Sequence, residues 1–187
     1  SKLNVMEDDI FLKEFKRVCK SNRKWIILGS IIVKISKDTL VNRSILINPN
    51  GEVEKFYDKI HMFDVKLSSS ENYNESKLFQ AGREIETVDL PWGRLGMSIC
   101  YDMRFPAMYR KMSQSGAKFF SIPSAFTETT GKKHWHALLR ARAIENFCYV
   151  FAPAQVGIHS SGRRTYGRSL IISPDGKILA EMKKGEG

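Results

Sequence analysis

The sequence predicts a mixed fold, α/β or α+β, with helices packed on sheets. Three observations carry this. Residues 25–35 read WIILGSIIVKI, a nearly continuous β-branched run suited to a strand buried on both faces. Short apolar runs bounded by Pro, Gly and Asn recur along the chain. Segments with helical spacing and recognisable caps alternate with them. No Gly/Ser- or Pro-rich linker and no repeat of solenoid length interrupts the 187 residues, which read as one domain.

In order, Asp8 and Asp9 suit the start of a helix with Phe11, Phe15 and Val18 on one face, ending near Ser21 and Asn22. The strand at 25–35 follows, then another over 40–48. That strand closes in Asn48-Pro49-Asn50-Gly51, a turn with Pro and Gly where they fit best. Residues 53–59 continue the sheet, and the polar stretch 68–81 reads as a loop. Residues 85–90 and 94–99 flank Pro91-Trp92-Gly93 as strand, turn, strand. Pro106 suits the first turn of a helix through Gln114, with Gly116 past its end. A short strand over 119–123, a helix over 133–146 and a strand over 147–154 come next. Residues 169–173 and 177–181 form a hairpin about Pro174-Asp175-Gly176.

Apolar residues make up 42% and charged residues 27%, ordinary for a soluble globular chain. No apolar run reaches the roughly 18 residues that span a bilayer. The first fifteen residues mix acids, bases and apolar groups, unlike a signal peptide, so no membrane is expected and the cytoplasm is the default location. The net charge is +10, but Lys and Arg are scattered among acids rather than gathered in a stripe with aromatics, which argues against nucleic acid. A solvated basic surface, or attraction of a small anionic substrate, accounts for the charge. Three cysteines at wide spacing suggest neither a disulfide framework nor a zinc site. His134 and His136 are two apart on a helix and face different ways, so no metal site and no cofactor are expected. No phosphate-cradling Gly-rich loop is present.

Cys100 ends the apolar strand RLGMSIC and is followed by YDMRFP and a helix. This order holds a thiol at the tip of a sheet near a helix N-terminus, accessible and close to backbone N–H donors. Read locally, Cys100 is a nucleophile or a buried structural cysteine. Lys59, where an apolar strand meets a loop, is a solvated lysine or a stabiliser of a thiolate and of an oxyanion. Glu75, alone, is a loop acid.

Together these segments resemble the nitrilase superfamily of carbon–nitrogen hydrolases. The stretches are YDKIHMFDV around Lys59, NES at Asn74–Glu75–Ser76, GRLGMSICYDMRFP around Cys100, IPSAFTETTGKKHWHALLRARAIENFCYV and YGRSLIISPDG, in the family's order. The resemblance implies a four-layer α-β-β-α sandwich, commonly assembled as a homodimer or higher homo-oligomer. It implies Cys100 as nucleophile, Lys59 as the catalytic lysine, Glu75 as the supporting acid and the Tyr101 backbone N–H as an oxyanion donor. The helices after Pro106 and over 133–146 match elements of the relatives' dimer interface, with packing inside the monomer as the alternative. The family's general-base glutamate lies further upstream of the lysine than this chain reaches. Glu7 and Glu14 are too close and lack its motif. The sequence therefore reads as a domain incomplete at both termini.

The branch it most resembles acts on deaminated glutathione, with ω-amides of 2-oxo acids as the alternative. A small amide substrate is thus expected, cleaved through a thioester. Ser124, Ala125, Phe126 and Thr127 follow a strand expected beside the nucleophile and are candidates to line the pocket. Arg163 or Arg164, with His159, would meet the substrate carboxylates, or else lie on a surface loop. Asp102 and Arg104 read equally as structural or catalytic. A truncated, non-catalytic binding scaffold is the rival class.

Overall fold

A computed structural model describes residues 10–69, 71–160, 162–183 and 185. The chain divides into two compact units, Ser1–Glu84 and Ile85–Gly187. The expected capping residues Asp8 and Asp9 lie outside the described residues.

In the first unit, α1 (Ile10–Asn22) packs on a three-stranded antiparallel sheet of β1 (Ile26–Ser36), β2 (Thr39–Ile47) and β3 (Val53–Asp58). The helix buries Leu12 and Cys19, which join Leu28, Ile45 and Ile47 in one core cluster. The stripe read from the sequence is not the buried one, since Phe11 is 76% exposed. The one-residue offset rotates Phe11 and Phe15 onto the flank of the helix.

Nor is β1 buried on both faces: Leu28 and Val33 are buried, but Ile32 and Ile35 are exposed. The reason is position, since β1 is an outer strand and β2 lies between β1 and β3. The doubly buried run belongs to β2, where residues 43–47 are all buried. The Asn48–Gly51 turn forms as expected. Gly51 has φ +79 and its N–H donates to the Asn48 carbonyl at 2.9 Å. The stretch 68–81, expected to be a loop, contains β5 (Asn72–Asn74), which pairs antiparallel with β4 (Asp64–Lys66), and a 3₁₀ turn, Glu75–Lys77. Strands of three residues, Asp-Val-Lys and Asn-Tyr-Asn, are too short to show a hydrophobic period.

In the second unit, a six-stranded sheet runs in the order β13-β12-β9-β8-β7-β6. Its strands are β6 (Thr87–Leu90), β7 (Gly93–Met97), β8 (Ala117–Ser121), β9 (Tyr149–Ala152), β12 (Leu170–Ile172) and β13 (Ile178–Glu181). The central β7, β8 and β9 are parallel and the outer pairs antiparallel. The two parallel crossovers are α2 (Pro106–Gln114) and α3 (Glu128–Asn146). Tyr109 of α2 sets its ring edge-on to Phe120 of β8, centroids 5.1 Å apart.

The helix α3 begins five residues before the expected start, at Glu128, and is capped by Thr127, whose hydroxyl accepts the Thr130 N–H. It ends at Phe147, left-handed at φ +52. A hairpin of β10 (Val156–Ile158) and β11 (Arg164–Tyr166) follows β9. No helix among the described residues is long and apolar enough to cross a membrane.

Candidate active site

The expected site residues fall in two polar clusters, one in each unit. In the first, β3 ends at Asp58, which Arg43 of β2 grips with two hydrogen bonds of 2.6 and 2.7 Å. Lys59 follows at once and is only 3% exposed. Its N–H donates to the Asn42 carbonyl at 2.9 Å, and its ammonium pairs with Glu75. The β4–β5 hairpin delivers Glu75 by matching Asp64 to Asn74. The same carboxylate accepts the Phe63 N–H at 2.7 Å, and the Asn42 amide approaches its other oxygen at 3.4 Å. Asp64 caps the turn by accepting the Ser76 N–H at 3.0 Å, and the Ser76 bonds hold its carboxyl below the usual range. A lysine removed from water needs this compensation. The lysine and glutamate that read as surface residues in isolation are a buried pair.

In the second unit, Cys100 follows β7 at the carboxyl ends of the parallel strands, where open α/β sheets place their binding sites. It opens a 3₁₀ turn, Cys100–Arg104, and has φ +49, a left-handed conformation that disfavours a side chain. The surroundings hold it there. Asp102 accepts the Ile99 N–H at 2.8 Å, and the Cys100 N–H donates to the Pro123 carbonyl at 2.9 Å. Cys100 is partly exposed, whereas Cys19 and Cys148 are buried and burial pushes both their thiols up. The strand–Cys–turn geometry expected from the sequence is present.

Arg104, four residues on, was read as equally structural or catalytic. Its guanidinium lies 5.8 Å from the Tyr101 ring and 5.3 Å from the Phe126 ring, with Nη2 3.1 Å from His134 Nδ1. Burial pulls its pKa below the ordinary arginine value, while Tyr101 and Cys100 favour its charged form. Burial, then the charges of Arg104 and Lys133, lowers His134, so a neutral imidazole accepts from Arg104. Nothing in the sequence flagged this pair, which is thirty residues apart.

The expected pocket residues divide. Ser124 donates to the Ile122 carbonyl at 3.1 Å, and Phe126 packs on Trp135, centroids 5.3 Å apart. Thr127 spends its side chain capping α3. Arg163 donates to the Ala125 carbonyl, joining two of the candidates. Arg164 points elsewhere, into a cavity of about 300 Å³ bordered by Glu128, Lys132, Tyr166 and Arg168. His159 bonds Thr165 at 3.0 Å within the β10–β11 hairpin. His134 and His136 do diverge, the latter meeting Glu181 at 3.0 Å.

Residues 4–187 match the family model described as carbon–nitrogen hydrolase, and the chain belongs to that family. It is 42% identical over 172 residues to a deaminated glutathione amidase of Yersinia enterocolitica, a match covering 90% of this chain and 60% of that protein. The crystal structure of the Caenorhabditis elegans NitFhit protein superposes with a TM-score of 0.89 at 39% identity, over 95% of this chain and 44% of that one. Saccharomyces cerevisiae Nit3, described as a member of branch 10 of the nitrilase superfamily, superposes at 0.87 with 31% identity, over 98% and 65%. The mixed α/β fold is that of the nitrilase superfamily. The chain spans about 60% of the length of the first curated relatives it matches.

Proposed function

We propose that the chain carries the nucleophile and lysine of an amidase that hydrolyses a small anionic amide, deaminated glutathione in the first instance. The observation that carries this is Cys100, held left-handed at a sheet's carboxyl edge with the Arg104 guanidinium nearby. The names of the relatives support the substrate.

An amide carbonyl is a poor electrophile, and a thiol of pKa about 8.5 is mostly protonated at neutral pH. A base takes the thiol proton as sulfur attacks the carbonyl carbon. The Tyr101 backbone N–H, in the first turn after Cys100, takes the oxyanion, and Lys59 is the lysine that the family resemblance assigns to the catalytic set. The C–N bond breaks, the protonated amine or ammonia departs, and a thioester to Cys100 remains. Water, losing its proton to the same base, cleaves the thioester to the acid and returns the thiol. Glu75 holds Lys59 in place. The base itself is assigned to no residue of these 187.

Arg104, rather than Arg164, is the better reader of substrate charge. It is a partly desolvated cation within electrostatic reach of the thiol, and Arg binds carboxylates through two parallel bonds. A homodimer or higher homo-oligomer belongs to the same proposal, supported by the exposed Ile144 and Phe147 at the end of α3. The decisive assay follows release of ammonia from deaminated glutathione and from 2-oxo acid ω-amides, by this chain and by a longer form, each against Cys100→Ala. Release that survives Cys100→Ala removes the nucleophile assignment. Preference for ω-amides moves the protein to the alternative substrate. No release from either form favours a binding scaffold.

A further inference from the structure

Arg142 is a buried cation with no part in the chemistry above. It lies on α3, is 5% exposed, and points its Nε–H at the Met103 carbonyl, 2.7 Å away. Met103 belongs to the turn that Cys100 opens. One terminal nitrogen of the guanidinium pairs with Glu145, and its plane lies 5.6 Å from the Tyr109 ring. Tyr109 acts on the other side of the nucleophile. Its hydroxyl is 2.7 Å from Ser98 Oγ, which itself donates to the Ser121 carbonyl at 2.9 Å. The Ser98 hydrogen is thus committed, and Tyr109 is the donor. Burial and the Asp102 charge raise the phenol well above its usual pKa, so it keeps that proton.

The residues before and after Cys100 are therefore tied to two different helices. Ser98 is tied to α2 through Tyr109, and Met103 to α3 through Arg142. A non-glycine residue at positive φ persists only where its surroundings over-determine it. We propose that Arg142 is a positioning residue for the nucleophile: by holding Met103 it fixes the Cys100–Arg104 turn and keeps the Cys100 thiol in its reactive setting. This rests on the reading of Cys100 as nucleophile. Its test requires no turnover.

The test is the second-order rate of Cys100 alkylation by iodoacetamide, in folded protein well below the melting temperature, for wild type, Arg142→Met and Arg142→Lys. Cys19 and Cys148 are buried, and Cys100→Ala gives the background. Arg142→Met should slow alkylation about tenfold. Arg142→Lys, which keeps a donor but not the planar fork, should fall between. In the longest active form, kcat should drop about as much with KM within about threefold. Wild-type alkylation rates in a folded Arg142 variant would overturn the proposal, because a purely structural arginine changes melting temperature alone. Should neither variant fold, Glu145→Ala decides. It frees the outer end of Arg142 at a half-exposed site, and should slow alkylation two- to threefold. An unchanged rate there rejects the restraint. A slow wild type, no faster than a free cysteine, refutes the nucleophile reading instead.

Discussion

His134 Nδ1 accepts a hydrogen bond from Arg104 Nη2 at 3.1 Å, across the interval between α3 and the turn that begins at Cys100. The bond exists only while the imidazole is neutral. Burial, and then Arg104 and Lys133, lowers the His134 pKa. The unfolded chain, with an ordinary value near 6.5, therefore binds the proton first as pH falls. Between that value and the lower folded one, the unfolded state holds more protons, so stability falls with acid. Above about pH 6.5 the histidine contributes no pH dependence. His134→Gln keeps an acceptor without a titration, and should flatten the acid side of a plot of urea midpoint against pH. An unaltered slope would separate His134 from acid sensitivity.

Arg104 should govern discrimination by charge. Arg104→Met should raise KM for an anionic amide by about tenfold or more, while a neutral amide of similar size changes little. Arg104→Lys should recover only part of the difference, because a point charge cannot make paired bonds. Initial rates on matched anionic and neutral amides measure this. Equal losses on both would mean that Arg104 serves the turn rather than the substrate.

Cys100 is held at φ +49, where glycine sits without penalty. Cys100→Gly should therefore raise unfolding stability by about 1 kcal/mol while abolishing turnover and rapid thiol labelling. Chemical denaturation of the two proteins gives the comparison. A loss of stability would show that the thiol's packing outweighs the strain.

The Lys59–Glu75 pair is nearly dry, with side chains 3% and 15% exposed. Removing one partner strands the other. Lys59→Met should cost about 3–5 kcal/mol, and so should a change at Glu75 that leaves the ammonium alone. The double variant Lys59→Met/Glu75→Leu should be less destabilised than the sum of the singles. Urea denaturation of the four proteins yields the coupling, and additivity would mean that the pair is independent in energy.

What could be read in advance follows from how local each signal is. The limits of α2 were legible because Pro106 and Gly116 mark them, and Gly116 does adopt φ +94. The first turn of α3 was not, because Thr129, Thr130 and Gly131 are poor helix formers. Gly131 is there for space: a β-carbon on it would collide with Tyr166 of β11. The end of α3 was hidden too, since Phe147 takes the left-handed position that usually calls for glycine. With only Asn-Tyr-Asn, β5 is too short for its alternation to be told from a loop. In the site, Cys100 was visible from its strand and turn. Lys59 and Glu75, sixteen positions apart, became a pair only once the β4–β5 hairpin closed the chain between them. Arg104 with His134, and Arg142 with Met103, depend on where α3 lies against the Cys100 turn, which no spacing encodes.

Thr127 has a consequence for how this protein can diversify. The stretch from Ser124 leads directly into α3, and Thr127 ends the one and begins the other. Phe126, just before it, serves at once the Trp135 contact and the Arg104 guanidinium. A mutation here that disturbed Phe126 or Thr127 would also loosen the helix that carries His134 and Arg142. Sequence change should therefore accumulate in the β10–β11 hairpin, where Ser160 and Gly162 are exposed, while the Ser124–Thr127 stretch stays nearly invariant across lineages.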